Sequence, residues 1–196
     1  MTMPRDAESD LPDEALLAAF ARGDAGAARV LTLRLTPRVL AHAARLLGNR
    51  AEAEEVAQEA MLRLWRQAPH WRSGEARITT WLYRVVANLC IDRQRRARGG
   101  ALALDAVAEP RDPAPGMPAR MQDRARAEAL QTALSGLPER QRQAVVLRHI
   151  EGLSNPEIAA IMETTTEAVE SLTTRGRRAL TAALAARKEE LGYVDD

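Results

Sequence analysis

Four arginines in six residues, Arg93, Arg95, Arg96 and Arg98, stand together in this 196-residue chain. Guanidinium groups hold phosphate oxygens through charge-assisted hydrogen bonds. Just upstream, the segment 77–97 has the period of a helix. At 100° per residue, Thr80, Arg84, Asn88, Ile91 and Arg95 share one stripe of it, with Trp81 at the edge. The preceding loop, APHWRSGEAR, sets Trp71 and Arg72 ahead of Gly74. An asparagine amide pairs with a base edge and an indole stacks on an unpaired base, so the set suits DNA. Arginines at a helix C-terminus also complement the macrodipole, but capping does not need four of them.

A second group lies at 154–189. Ser154-Asn155-Pro156-Glu157 is a capping box with proline in the first turn. The segment it opens has the pattern helix, short turn, helix, with Ile158, Ala159 and Met162 expected to face Val169, Leu172, Gly176 and Leu180. Thr165 is the expected N-cap of the second helix. Its outward face carries Glu167, Ser171, Thr174, Arg175 and Arg178, with Arg177 beside it. An ordinary helical hairpin and a DNA-reading helix-turn-helix both fit. Glu167 and Glu170 repel phosphate, although a glutamate suits a helix N-terminus and accepts a hydrogen bond from cytosine.

A third group lies on 50–67, where Ala53, Ala57, Ala60, Met61 and Leu64 share a core face. The opposite face carries Glu55, Gln58, Leu62 and Trp65, with Glu59 at its border. Apolar anchors in an acidic rim suit the docking of a partner protein. A Trp65 packed under a neighbouring loop fits the same pattern.

Helices must position all three groups. The chain has 38 Ala, and its aromatic content is 3%, a mix that favours helix over sheet. Periodicity predicts helices at 11–22, 25–35, 37–47, 50–67 and 77–97, then at 122–135, 138–150, 155–162 and 166–189. Pro37 fits a first helical turn, and Asn49 with Glu52 resembles a cap. Ile78, Leu82, Val85, Val86 and Leu89 form a core stripe, with Cys90 near it and expected to be buried. Between the two blocks, residues 99–121 hold four prolines and three glycines, a linker composition. The expected fold is all-α: two small helical domains at 11–98 and 122–191, a disordered N-terminus at 1–10 and a tail at 192–196. Net charge is +4 over 1–98 (16 basic, 12 acidic), −2 over 99–123 (2 and 4) and −1 over 124–196 (10 and 11). A uniformly basic nucleic-acid binder is thereby excluded, but local basic clusters are not.

One cysteine excludes a disulfide framework and a cysteine-based zinc site, and three scattered histidines argue against a metal, so no cofactor is expected. No acid–base pair, nucleophile or phosphate loop converges, so an enzyme is not expected. No apolar run approaches the ~18 residues of a membrane span, and MTMPRDAESD lacks a signal-peptide pattern. The expected compartment is the cytoplasm.

Together these motifs resemble a bacterial sigma factor of the extracytoplasmic-function (ECF) type, from Leu11 to Leu184. AEEVAQEAMLRLWR resembles the part of region 2 that docks on the clamp helices of the RNA polymerase β′ subunit. TTWLYRVVANLCIDRQRR resembles the part that reads the −10 element. LPERQRQAVVLRHIEGLSNPEIAAIM and the next helix resemble region 4, which reads the −35 element. The resemblance implies core docking by Glu55, Gln58, Glu59, Leu62 and Trp65. It implies −10 contacts by Trp71, Arg72, Thr80, Trp81, Arg84, Asn88, Arg93, Arg95 and Arg96, with Asn88 and the Trp71 loop trapping a flipped base. It implies −35 contacts by Thr166, Ser171, Thr174, Arg175, Arg177 and Arg178. Implied partners are core RNA polymerase (β′ clamp helices and β flap), promoter DNA and an anti-sigma factor, in a stress response. A linker of 23 residues, fully extended at ~3.3 Å each, reaches roughly 75 Å, about two turns of duplex.

Three positions depart from the family pattern. Glu163 stands where the turn of the helix pair usually has glycine, and Glu170 and Leu172 stand where basic residues are usual. Two other readings fit parts of the chain. A sigma-like mimic would bind an anti-sigma factor without engaging DNA. A free-standing helix-turn-helix regulator would dimerise on a palindromic site and would need neither the docking helix nor the Trp71 loop.

Overall fold

The computed structural model describes residues 11–72, 74, 76–99, 118–185 and 187, with no strand among them. The expected disordered N-terminus, most of the linker and the tail at 192–196 lie outside the described residues. Two compact units divide the chain. One takes the chain up to Ala44 with Arg50–Asp92; the other takes Arg45–Asn49 with the chain from Arg93 onward.

The first unit is built from α1 (Asp13–Ala21), α2 (Ala25–Leu47) up to Ala44, α3 (Arg50–Gln67), a 3-10 turn at Ala68–His70, and α4 (Ile78–Gly99) up to Asp92. Arg34 of α2 ties α1 down by an ion pair with Asp13 and a 3.0 Å hydrogen bond to the Leu11 carbonyl. Asp24 caps α2, its carboxylate accepting from the N–H groups of Gly26 at 2.8 Å and Ala27 at 3.1 Å. Every residue of the predicted α3 core face is buried, and Val56 joins them. On α4, Ile78, Leu82, Val86 and Cys90 are buried as expected, with Tyr83 and Ala87 beside them; Val85 and Leu89 are only partly covered. His42 is a fully buried polar residue, its ring 4.5 Å from that of Tyr83.

The two helices expected at 25–35 and 37–47 are one. Pro37 sits inside α2 rather than at a first turn. An interior proline costs about 3 kcal/mol through its missing N–H and its ring clash. Leu31, Leu35, Val39 and Ala43, spaced by four, are at most 2% exposed and cross the proline. Burying a Leu or Val contributes ~1.5–3 kcal/mol each, so keeping that stripe on the core outweighs the break.

The second unit contains α5 (Pro118–Ser135), α6 (Glu139–Val145), a π-helical turn at Val146–Ile150, α7 (Asn155–Met162) and α8 (Thr166–Ala185). The helix start at Pro118 makes the end of the predicted linker helical. The single helix expected at 138–150 ends instead in the π turn, closed by the Glu151 N–H on the Val146 carbonyl at 3.0 Å. Gln143 to Leu147 are all buried, a run wider than one face of a regular α-helix, and the wider turn overlaps its end.

Gly176 of α8 is buried, but its neighbour differs from the expected one. A Cβ there would meet Val145 Cγ2 at 2.5 Å and the Gln141 carbonyl at 3.2 Å, both on α6 rather than α7. The missing side chain lets α6 and α8 cross closely, while Val169, fully buried, lies two turns earlier on α8. Gly176→Ala should therefore destabilise the protein by about 1–3 kcal/mol through overpacking. Urea unfolding checks it: a lower midpoint at unchanged slope is expected, and an unchanged midpoint would contradict the close crossing.

Candidate docking face and nucleic-acid interface

The outer face of α3 is left over once its core residues are inside. Glu55, Gln58 and Leu62 are exposed, Leu62 at 42%. Their i, i+3, i+7 spacing aligns them along the helix. Glu59 is bridged to Arg63 at 2.9 Å and Arg50 to Glu54 at 2.9 Å, exposed pairs of little energetic weight. Trp65 departs from the other four. It is half-buried, with its ring edge-to-face against Phe20 of α1 at 4.8 Å. The ring packs within the unit against a helix, rather than under the neighbouring loop of the plainer reading, and Phe20 is the partner that sequence spacing could not name.

The loop before α4 is held by the Trp71 N–H on the Ala68 carbonyl at 3.2 Å. Trp71 and Trp81 meet edge-to-face, centroids 6.0 Å apart at 85°. Both are partly exposed, and the Trp71 Nε1 is buried without a hydrogen-bond partner among the described residues. Arg72 is exposed in the loop. Along α4, Arg84 and Asn88 are exposed one turn apart, with Thr80 half-exposed one turn earlier. Arg95 and Arg96 are exposed further along and Arg93 is partly covered. An amide able to pair with a base edge and guanidinium groups able to hold phosphate thus share one helix, with an aromatic pair at its start.

In the second unit, Glu157 accepts from both the N–H (2.8 Å) and the hydroxyl (2.6 Å) of Ser154 and so starts α7. The turn after α7 places Glu163 in the left-handed region at φ 50°, closed by the Thr164 N–H on the Ala159 carbonyl at 3.0 Å. A non-glycine residue pays about 1 kcal/mol there. Thr165 caps α8 as expected, accepting from the Ala168 N–H at 3.2 Å. Ser171, Thr174, Arg175, Arg177 and Arg178 are exposed on α8 and Thr166 is partly so; Arg175 Nε donates to the Ser171 carbonyl at 3.3 Å.

Arg148 and His149 are basic residues that spacing on α8 could not point to. They lie near the end of the π turn, and Arg148 Nη1 donates to the Leu153 carbonyl at 2.9 Å. The charge of Arg177 reaches His149 across the unit, so the basic surface extends beyond the helix pair. The only signal in the sequence was the Arg-His pair itself, at the end of an apolar run. Among the described residues no group of three or more His, Cys, Asp or Glu could hold a metal, and no helix is long and apolar enough to cross a membrane.

Comparison with known proteins adds an independent line. The family model for sigma-70 region 2 matches residues 31–99, and that for sigma-70 region 4 matches residues 127–180. The chain is 37% identical to the ECF RNA polymerase sigma factor SigE of Mycolicibacterium smegmatis over 78% of its own length, and spans 60% of that protein. It is 36% identical to the ECF RNA polymerase sigma factor SigM of Mycobacterium tuberculosis, covering 86% of this chain and 82% of the relative. Among solved structures it is similar to CnrH in complex with the cytosolic domain of CnrY, with a TM-score of 0.63 and 29% identity over 89% of this chain and 97% of that one.

The pKa of His149 is lowered from its ordinary 6.5, first by partial burial, then by Arg177 and Arg148. The unfolded chain therefore takes up this proton first as pH falls through 6.5. His149 costs nothing above 6.5, costs progressively more as pH falls from 6.5 toward its lower folded value, and keeps that full cost below it. An NMR titration of the imidazole should show a midpoint below 6.5 that Arg177→Gln moves upward. An unmoved midpoint would separate the two residues.

Proposed function

The chain belongs to the ECF sigma factors, and from that membership we propose that it binds core RNA polymerase and directs transcription from promoters carrying two recognised elements. The observation that carries this reading is positional. The outward faces of α3 and α4 lie within the stretch matching region 2, and that of α8 within the stretch matching region 4. In this reading 11–98 and 122–191 act as two domains joined by the 99–121 linker, in the cytoplasm.

Glu55, Gln58, Glu59 and Leu62 meet the β′ clamp helices, with Leu62 as the apolar anchor. Trp65 contributes by holding α1 against α3. Asn88 reads the −10 element, while Arg84, Arg93, Arg95 and Arg96 hold its backbone. The Trp71–Trp81 pair offers an aromatic edge for a base that has left the stack, which offsets part of the few kcal/mol that extrusion costs. Ser171, Thr174, Arg175, Arg177 and Arg178 meet the −35 element, with the β flap as the second polymerase contact. CnrH is in complex with the cytosolic domain of CnrY. An anti-sigma factor, the partner that the family resemblance implies, is the further partner of this chain.

Gln58→Ala combined with Leu62→Ala should weaken binding to core polymerase by roughly tenfold or more. Titration of core polymerase with labelled protein checks it, and unchanged affinity would remove the docking assignment. Asn88→Ala should leave core affinity intact while narrowing the preference for a matched over a mutated −10 template by roughly tenfold. Run-off transcription from the two templates reads this. A wild-type protein that transcribes both equally would defeat the assignment.

A further inference from the structure

The first turns of a groove-reading helix present their side chains to base edges. On α8 those turns carry two exposed acids, Glu167 and Glu170. Their carboxylates are in different situations. Glu167 is engaged by its own backbone N–H and by the hydroxyls of Thr165 and Thr166, the latter at 3.2 Å, which lowers its pKa. It serves the start of the helix. Glu170 has no hydrogen bond or ion pair among the described residues. At 100° per residue it lines up with Thr166 one turn before it, and with Thr174 and Arg177 beyond. Buried Val169 and Gly176 lie about 100–120° round the helix from Glu170. The Glu170 carboxylate is thus an uncommitted acceptor in the second turn of the surface assigned to DNA.

An uncommitted carboxylate against DNA is unfavourable, because phosphates repel it and it loses water without replacement. A base-edge donor relieves that cost. The major groove offers two, the N4 amino group of cytosine and the N6 amino group of adenine. The adenine donor stands beside N7, an acceptor that repels a second carboxylate oxygen and is normally satisfied by an amide. In a C·G pair the cytosine donor has one flanking acceptor, guanine O6, with C5–H on its other side, whereas the adenine donor lies between two, N7 and thymine O4. Arg175, Arg177 and Arg178 follow on α8 and supply the phosphate attraction that keeps an acidic turn in the groove.

We propose that Glu170 is a specificity-determining residue that selects cytosine at one position of the upstream promoter element. This rests on the proposed reading of α8 as the −35 helix. Glu170 costs affinity at sites lacking that cytosine and so sharpens discrimination against them.

The experiment uses core polymerase with the full-length chain and a template library randomised over both promoter elements, with transcripts sequenced. The wild type should enrich cytosine roughly tenfold at one upstream position. Glu170→Ala should abolish the preference at that position alone. Glu170→Gln should move it toward adenine, because an amide both donates to N7 and accepts from N6. Urea unfolding of both variants should match the wild type, since Glu170 is exposed. An upstream profile that keeps every preference in Glu170→Ala, with or without stronger overall binding, overturns the inference while leaving α8 as the reader. A wild-type profile with no upstream preference at all, but an intact −10 preference, instead removes the underlying assignment of α8.

Discussion

Helices in units this small can give only one face to a core, and that constraint organises the molecule. On α3, Ala53, Val56, Ala57, Ala60, Met61 and Leu64 are inside, so Glu55, Gln58 and Leu62 are turned outward whether or not a partner exists. On α4, burial of Ile78, Leu82, Val86 and Cys90 turns Arg84 and Asn88 outward. On α8, Val169 and Gly176 do the same for Ser171, Thr174 and the arginines. Each outer face is therefore held by hydrophobic burial at a fixed azimuth, and its side chains need no separate scaffold.

How firmly a face is held depends on how closely the helix beneath it packs. Gly176 lets α8 approach α6 to a distance that any Cβ would prevent. The turn leading into α8 is less favourable, with Glu163 in a left-handed conformation that glycine would adopt without cost. The capping of α7 by Ser154 and Glu157 and of α8 by Thr165 keeps both helix starts in place around that turn. The second unit thus tolerates one strained residue between two well-capped helices.

Much of this was legible from residue spacing. The α3 helix has the predicted bounds and the predicted buried residues, because a period of 3.6 reports directly which face is inside. The capping box at Ser154 and the N-cap at Thr165 are local chemistry, and both are found. The misses share one physical origin, since each depends on contacts distant in sequence. Pro37 read as a helix start because its local preference is real, but the buried stripe across it is a tertiary fact. Gly176 read as facing α7, its neighbour in sequence, and instead faces α6. The π turn goes with a buried run, and nothing in composition marked it. Phe20 packs against Trp65 from a distant stretch of the chain, a contact that spacing on α3 could not name. Of the outer faces, the residue types and their exposure were legible, whereas the roles assigned to them came from resemblance.

The three faces differ in electrostatics more than the net charge of +1 suggests. The α3 face is acidic around an apolar anchor, the end of α4 is arginine-rich, and α8 mixes acids early with arginines late. Such segregation suits a protein that must meet another protein and DNA at once without exchanging the two surfaces. In the proposed reading both meetings occur in one initiating complex. Run-off transcription on fragmented genomic DNA, by core RNA polymerase with and without this protein and with transcript 5′ ends sequenced, decides whether they do. New start sites that share two upstream motifs are expected. No new starts, together with no detectable binding to core polymerase, would contradict the assignment of all three faces.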